Sequence, residues 1–163
     1  MADIICNTSP LQYLHQIGLL HILPDLAGSV IVPDAVVAEI DVGRKRGIEL
    51  PDLYELPWLI LKSPVSKAII PLVSDLGPGE TEVLALALEK KGSIVILDDL
   101  LARKVAVTLN IPLVGTLGLI VQAKQRGFVE AVAPYLDELD RLRFRLSKET
   151  RTAVLDLAGE LQS

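Results

Sequence analysis

Short aliphatic segments, each separated from the next by stretches of helical periodicity, constrain this chain more than any other feature. Asp3 to Cys6, Ser29 to Val32, Trp58 to Lys62, Ile94 to Leu97 and Pro112 to Gly115 are too short for helices, are rich in Ile, Val and Leu, and read as strands. Capping and proline signals open the helices between them. Pro10 stands at a first helical position behind Asn7, Thr8 and Ser9 in a helix that stops at Gly18, and Pro33 begins a helix running to about Arg44. A short helix around Leu19 to Leu26 and helices over Val65 to Leu76, Glu80 to Lys90, Asp99 to Leu109 and Leu117 to Arg126 complete the alternation, with Gly77-Pro78-Gly79 as a sharp break before Glu80. This order predicts an α/β fold: a parallel sheet of about five strands flanked by helices, with the carboxyl ends of the strands facing one crevice. Helices at about Val129 to Arg143 and Lys148 to Leu161 form a C-terminal helical extension of the same single domain, residues 1–163.

At 163 residues and 50 % hydrophobic, the chain can bury one substantial core and is too short for two ordinary domains. Only 4 % of residues are aromatic, so aliphatic side chains must fill that core, as in parallel sheets covered on both faces. The longest apolar run, Ile111 to Val121, is interrupted by Pro112, Gly115, Thr116 and Gly118, so no membrane span is expected. Met1 leads directly into a strand without a basic leader, and the lone Cys6 has no disulfide partner within the chain. Together these imply a soluble cytoplasmic protein in a reducing compartment.

A net charge of −5 argues against attraction of nucleic acid by the whole surface. The charge is unevenly placed, however. Acids outnumber bases through residue 100, whereas Arg103 and Lys104, Lys124 and Arg126, and the run from Arg141 to Arg151 make the later part basic. Arg44, Lys45 and Arg46 form a second cluster. The basic segment could rim an acidic site and hold a polyanion if it shares a face with the acids; otherwise it is solvated helix surface.

Polar residues recur where such strand-to-helix units should be bland. Asn7 closes the first strand, and Asp98 and Asp99 follow the most hydrophobic one. One of that pair can cap the next helix, and adjacent carboxylates repel unless a metal, a proton or an arginine such as Arg103 intervenes. Ala35, Val36, Glu39, Ile40 and Gly43 share one helical stripe, which sets Glu39 among residues facing the sheet. Glu80 shares a stripe with Val83, Leu84, Ala87 and Leu88, while Glu82 falls on another, so Glu80 is the inward acid, although a first-turn carboxylate is also favoured by the helix dipole. Carboxylates placed this way cost free energy unless something cationic meets them, and all of them map to strand ends or adjoining helix faces. They predict a divalent-metal site with Glu39, Glu80, Asp98 and Asp99 as its catalytic candidates. Thr8, Ser9 and Thr116 sit at helix starts, where a hydroxyl caps backbone amides and could also touch a phosphate. His15 and His21 lie far in sequence from the acids and read as surface or packing residues.

Ile4-Ile5-Cys6-Asn7-Thr8-Ser9-Pro10-Leu11, Val32-Pro33-Asp34-Ala35-Val36-Val37-Ala38-Glu39-Ile40, the stretch Gly77 to Ala87, Ile96-Leu97-Asp98-Asp99, Leu101-Ala102-Arg103-Lys104-Val105-Ala106 and Gly115-Thr116-Leu117-Gly118 together resemble PIN-domain proteins. The likeness, from Asp3 to about Glu160, is to a prokaryotic branch of unassigned function related to VapC-type toxins. It implies a Mg²⁺- or Mn²⁺-dependent ribonuclease fold with an acidic pocket, RNA as substrate and an antitoxin partner, while the high apolar fraction, which leaves aliphatic positions on the helices for a second copy to cover, predicts a homodimer. By that resemblance the metal ligands are Asn7, Glu39 and either Asp98 or Asp99, with the choice within that pair open, and Glu80 takes the place of the acid beginning the later helix; Thr8, Ser9 and Thr116 at helix starts and Arg103 and Lys104 of the basic segment are the candidate nucleic-acid contacts. Asn7 departs from the family pattern, which has an aspartate there. An amide oxygen coordinates Mg²⁺ but brings no charge, so one metal is expected rather than two.

Two functions follow. One is metal-dependent hydrolysis of RNA by a toxin; the other is a PIN-like protein, weakened catalytically by Asn7, that holds nucleic acid or a partner. No lysine follows Gly77-Pro78-Gly79, so a P-loop cradle is absent. A receiver-like phosphoacceptor fits the α/β order, but the aspartate pair comes at the fourth strand and no lysine follows Pro112 to Gly115.

Overall fold

The computed structural model describes residues 2–66 and 75–161. Its strands are β1 (Ile4–Cys6), β2 (Val30–Val32), β3 (Leu59–Leu61), β4 (Ile94–Ile96) and β5 (Leu113–Val114), and they form one sheet in the order β3-β2-β1-β4-β5 with every pairing parallel. The helices are α1 (Thr8–Gln16), α2 (Ile22–Ala27), α3 (Asp34–Lys45), α4 (Pro78–Glu89), α5 (Leu100–Thr108), α6 (Thr116–Gln125), α7 (Ala133–Arg141) and α8 (Lys148–Leu157), and a 3₁₀ turn spans Leu53–Glu55. The α/β alternation is therefore as expected. The central strands are covered on both faces: Ile5, Cys6, Val30, Val32 and Val95 are inaccessible, which is why their sequences run apolar without alternation. Among the described residues, no helix is long and apolar enough to cross a membrane.

Several boundaries differ from the sequence reading, three of them with a clear local cause. α4 starts at Pro78 and not at Glu80, because Gly77 takes the extended N-cap conformation and proline's fixed φ suits the first helical turn. Glu80 therefore lies within the first turn. α7 begins at Ala133, with Pro134 in its first turn, and residues from Val129 to Val132 approach it as a connection whose Val129 and Val132 are buried. α8 ends at Leu157, where Gly159 at φ +73° lets Gly159 and Glu160 donate back to Asp156 and Leu155, satisfying the last carbonyls. The helix expected over Val65 to Leu76 falls mainly on residues 67–74, outside those described.

One hydrophobic cluster runs from Ile5 to Ala158 and includes Leu136 and Leu139 of α7 and Val154 of α8, so the C-terminal helices share the core of the sheet. A polar staple fixes them. α7 has no capping side chain of its own; the Glu160 carboxylate accepts instead from the N–H groups of Val132 (2.6 Å) and Ala133 (3.0 Å). The same carboxylate takes the Lys124 ammonium at 2.9 Å, and Lys124 also donates to the Ala158 carbonyl at 2.6 Å. Arg151 of α8 pairs with Asp137 of α7.

Burial by itself would push the Glu160 carboxyl up, but the Lys124 ammonium and the two N–H donors hold it below its ordinary value. A depressed folded pKa contributes stability above the unfolded pKa and loses it as pH falls through the folded one. Glu160→Gln is expected to lower stability at pH 7 by about 1–2 kcal/mol after allowance for screening, measured by urea unfolding. The gap to wild type should shrink as pH is lowered through the carboxylate range.

Candidate functional site: an acidic cleft at the ends of β1 and β4

β1 and β4 lie in register, Cys6 opposite Ile96, and the Asn7 N–H donates to the Ile96 carbonyl at 3.2 Å. Connectivity reverses at this pair: β2 and β3 extend the sheet to one side, β5 to the other, so the residues after β1 and β4 open into the crevice where such sheets bind ligands. Asn7, Ser9, Glu80, Asp98, Asp99 and Arg103 line an open cleft there of about 730 Å³.

The aspartate pair divides its duties. Asp99 caps α5, its Oδ2 accepting from the Ala102 N–H at 2.9 Å. Asp98 accepts twice from Thr116, from the N–H at 2.8 Å and the hydroxyl at 2.6 Å. Burial raises the pKa of Asp98; the two Thr116 donors and the Arg103 guanidinium act against that rise without cancelling it. Arg103 donates from Nη1 to the Leu97 carbonyl at 2.9 Å. It passes so close to the start of α6 that a Cβ on Gly115 would stand 2.6 Å from Nη1 and 3.1 Å from Asp98 Oδ1, so a side chain there would displace the guanidinium. Burial, with the charge of Asp98 added, pushes the Cys6 thiol well up and keeps it neutral.

Glu39 and Glu80 meet at the start of α4. Glu39 Oε2 accepts from the Thr8 hydroxyl and Oε1 from the Gly79 N–H at 3.0 Å, and a Cβ on Gly79 would lie 2.7 and 2.9 Å from those oxygens. Glu82 returns the contact, its Oε1 accepting from the Ala35 N–H at 3.1 Å, so α3 and α4 hold each other's unsatisfied N-terminal amides by exchanged carboxylates. Glu80 is pushed up to about 7 by burial, then by the negative charges of Asp99 and Glu39, with a hydrogen bond to Asp99 adding to the rise. Its Oε2 and the Oδ1 of Asn7 are the buried side-chain oxygens without a hydrogen-bond partner among the described residues.

Among the described residues, no Lys, Arg or His is ion-paired with any of the four acids. Nor are three Asp, Glu, His or Cys side chains gathered as a ready metal-ligand group among those residues. Glu39 and Asp98 have each turned both oxygens to protein donors, and Asp99 spends one on its cap.

The expected nucleic-acid contacts separate. Ser9 and Arg103 line the cleft; Thr8 adjoins it through Glu39; Thr116 is fully buried behind Asp98; Lys104 faces a neighbouring groove with Val107 and Leu113. Of the basic segment, Arg143 and Arg145 reach the cleft, whereas Lys124, Arg126, Arg141 and Arg151 are tied to Glu160, the Leu26 carbonyl, Glu138 and Asp137. The sequence reading missed Tyr13 and Phe144, which line the cleft and pack edge to face with centroids 4.9 Å apart at 87°. The signal lay in Arg143-Phe144-Arg145, an aromatic between two bases. It also missed Glu82, whose partner lies on another helix.

Residues 3–160 match a family model described as a PIN domain. No curated protein and no solved structure matches the chain.

Because Glu80 keeps a proton in the folded state up to about pH 7 that the unfolded chain releases near 4.5, stability is expected to fall as pH rises between those values and to carry the full penalty above them. Glu80→Gln should remove that dependence and exceed wild type at pH 8 by on the order of 1–2 kcal/mol after screening, read by urea unfolding at pH 4.5 and 8. Gly79→Ala should cost about 1–3 kcal/mol at either pH, because its methyl group displaces the Glu39 carboxylate from the α4 amide.

Proposed function

This chain belongs to the PIN-domain family, and from that membership we propose that it is a divalent-metal-dependent ribonuclease, hydrolysing RNA phosphodiesters as the toxin of a toxin-antitoxin-like module. The observation that carries the reading is the pair of partnerless buried oxygens, Asn7 Oδ1 and Glu80 Oε2, in a cleft lined by further carboxylates. Buried acceptors without donors are rare and costly. Two of them beside a hydrogen-bonded carboxyl pair fit a hard cation that takes oxygen ligands, Mg²⁺ or Mn²⁺. Asn7, Glu80 and Asp99 would hold that ion, and Glu39 and Asp98 add negative charge behind them. When bound, such an ion supplies charge neutralisation at the scissile phosphate and a more acidic water.

The chain's own groups do the rest. Thr116 fixes Asp98 and leaves its charge facing the cleft floor, Asp99 is held by the first turn of α5, and the Thr8 hydroxyl and Gly79 amide orient Glu39. Ser9 and Arg103 stand on the approach, where a hydroxyl and a guanidinium suit phosphate oxygens. In the same reading an antitoxin or a second copy would cover the aliphatic face of α5, where Leu100, Leu101 and Val107 are exposed.

A second reading, a PIN-domain protein that binds nucleic acid or a partner with weakened catalysis, is favoured by Asn7, which contributes an oxygen but no charge, and by the commitment of Asp98 and Glu39 to protein donors. RNA cleavage with Mn²⁺ separates the two. The nuclease should degrade a labelled RNA, stop in EDTA, and lose about 10- to 100-fold or more in rate in Glu80→Gln and Asp99→Asn. Cleavage that persists in EDTA would sink the metal-dependent mechanism. An inert wild type that gains both Mn²⁺ affinity by calorimetry and cleavage on Asn7→Asp would establish the second reading.

A further inference from the structure

Six of the eight helices among the described residues close in one recurrent way, and one of those closures is anomalous. α1, α3, α6 and α8 each end with a residue in the left-handed region that lets two successive amides donate back to the last turn, and in each case it is glycine: Gly18, Gly47, Gly127 and Gly159. α5 uses Asn110 at φ 58°, a residue type that tolerates this conformation. α7 uses Arg143 at φ 64°, with the Arg143 N–H on the Asp140 carbonyl at 3.0 Å and the Phe144 N–H on the Leu139 carbonyl at 2.9 Å. An arginine there is strained where a glycine would not be, and such strain persists where the side chain has a task.

The side chains show what the task can be. Arg143 and Arg145 are exposed, line the cleft that holds Asn7, Glu80, Asp98 and Asp99, and have no ion-pair or hydrogen-bond partner among the described residues. Between them Phe144 packs edge to face with Tyr13, also on the cleft wall. A T-shaped pair leaves the faces of the edge-presenting ring uncovered by its partner. The staple of Glu160 on Lys124 and α7, and the Arg151–Asp137 pair, hold the segment against the body of the protein. An acid-lined cleft repels a polyanion, so a fixed cationic wall on its rim is the element that lets a phosphodiester chain approach.

We propose that Arg143-Phe144-Arg145, with Tyr13, is the seat that positions a nucleic-acid chain over the acidic cleft, the two guanidinium groups holding phosphates on either side of a base that stacks on the aromatic pair. This deepens the nucleic-acid reading of the same cleft and rests on it. Guanidinium groups suit phosphates, and base stacking on an aromatic tolerates any sequence. The seat acts in positioning and touches no bond that breaks.

The test is anisotropy of a fluorescein-labelled single-stranded oligoribonucleotide on the full chain, in EDTA so that cleavage does not intervene, across a KCl series. Arg143→Gly should raise the thermal midpoint, since it relieves the left-handed strain, yet weaken binding and lower the slope of log affinity against log salt by about 0.7. Arg145→Ala should change the slope by the same amount with the midpoint unmoved. Phe144→Leu should weaken binding about tenfold at constant slope. Arg46→Ala, outside the cleft, should change neither. Wild-type affinity and slope in both arginine variants would overturn the seat and leave the nuclease reading intact where wild type still cleaves RNA with Mn²⁺. Weakened binding in the variants of a protein that never cleaves would keep the seat and remove the nuclease. A wild type that does not bind the oligoribonucleotide at all overturns the seat directly.

Discussion

The in-register parallel pairing of β1 with β4 is the constraint on which the rest depends. It joins segments far apart in the chain through their buried aliphatic faces, and because Cys6 stands opposite Ile96, the residues that follow, Asn7 on one strand and Leu97 with Asp98 on the other, must emerge side by side. The sheet reverses direction of growth at that pair, which sets the crevice where such sheets bind ligands between the two strand ends. Hydrophobic burial thus fixes where the polar chemistry sits.

Holding several carboxylates in so small a space is unfavourable, and the fold offsets it locally with donors supplied by neighbouring elements. Thr116, just after β5, gives Asp98 two hydrogen bonds; Gly79 and Thr8 give Glu39 one each; Ala102 gives Asp99 one. Glu80 is left out of this arrangement and answers by keeping its proton to about pH 7. Two glycines leave room for the arrangement, Gly79 under the Glu39 carboxylate and Gly115 beside Arg103, where a Cβ would push the charged group aside. The exchange of Glu39 and Glu82 between α3 and α4 also shows a carboxylate serving helix termini and the site at once.

The C-terminal helices convert an asymmetry of the sequence into an asymmetry of the cleft. Acids of the first hundred residues form its floor, and the turn after α7 brings Arg143 and Arg145 to its rim. Two other bases of that segment tie the C-terminal helices together, Lys124 through Glu160 and Arg151 through Asp137. One run of charge therefore does two separate jobs, and only two of its arginines join Arg103 at the site.

Strand positions, the α/β order, the inward faces of Glu39 and Glu80 and the emergence of Asn7 and the aspartate pair at strand ends were legible in the sequence, because periodicity and strand length are local properties written into consecutive residues. The division of labour within that pair was not. Asp98 and Asp99 look alike in sequence, and what separates them is Thr116, a donor from just beyond β5 that the pattern read as a helix-start hydroxyl capping backbone amides. Glu82 fell on another stripe than Glu80 and went unassigned because its partner is the first turn of α3, and Tyr13 with Phe144 went unnoticed because their meeting joins the first helix to the turn after α7. Local sequence sets which way a side chain faces; which donor, charge or ring it then meets is set by elements distant in the chain, and so only the tertiary structure decided it.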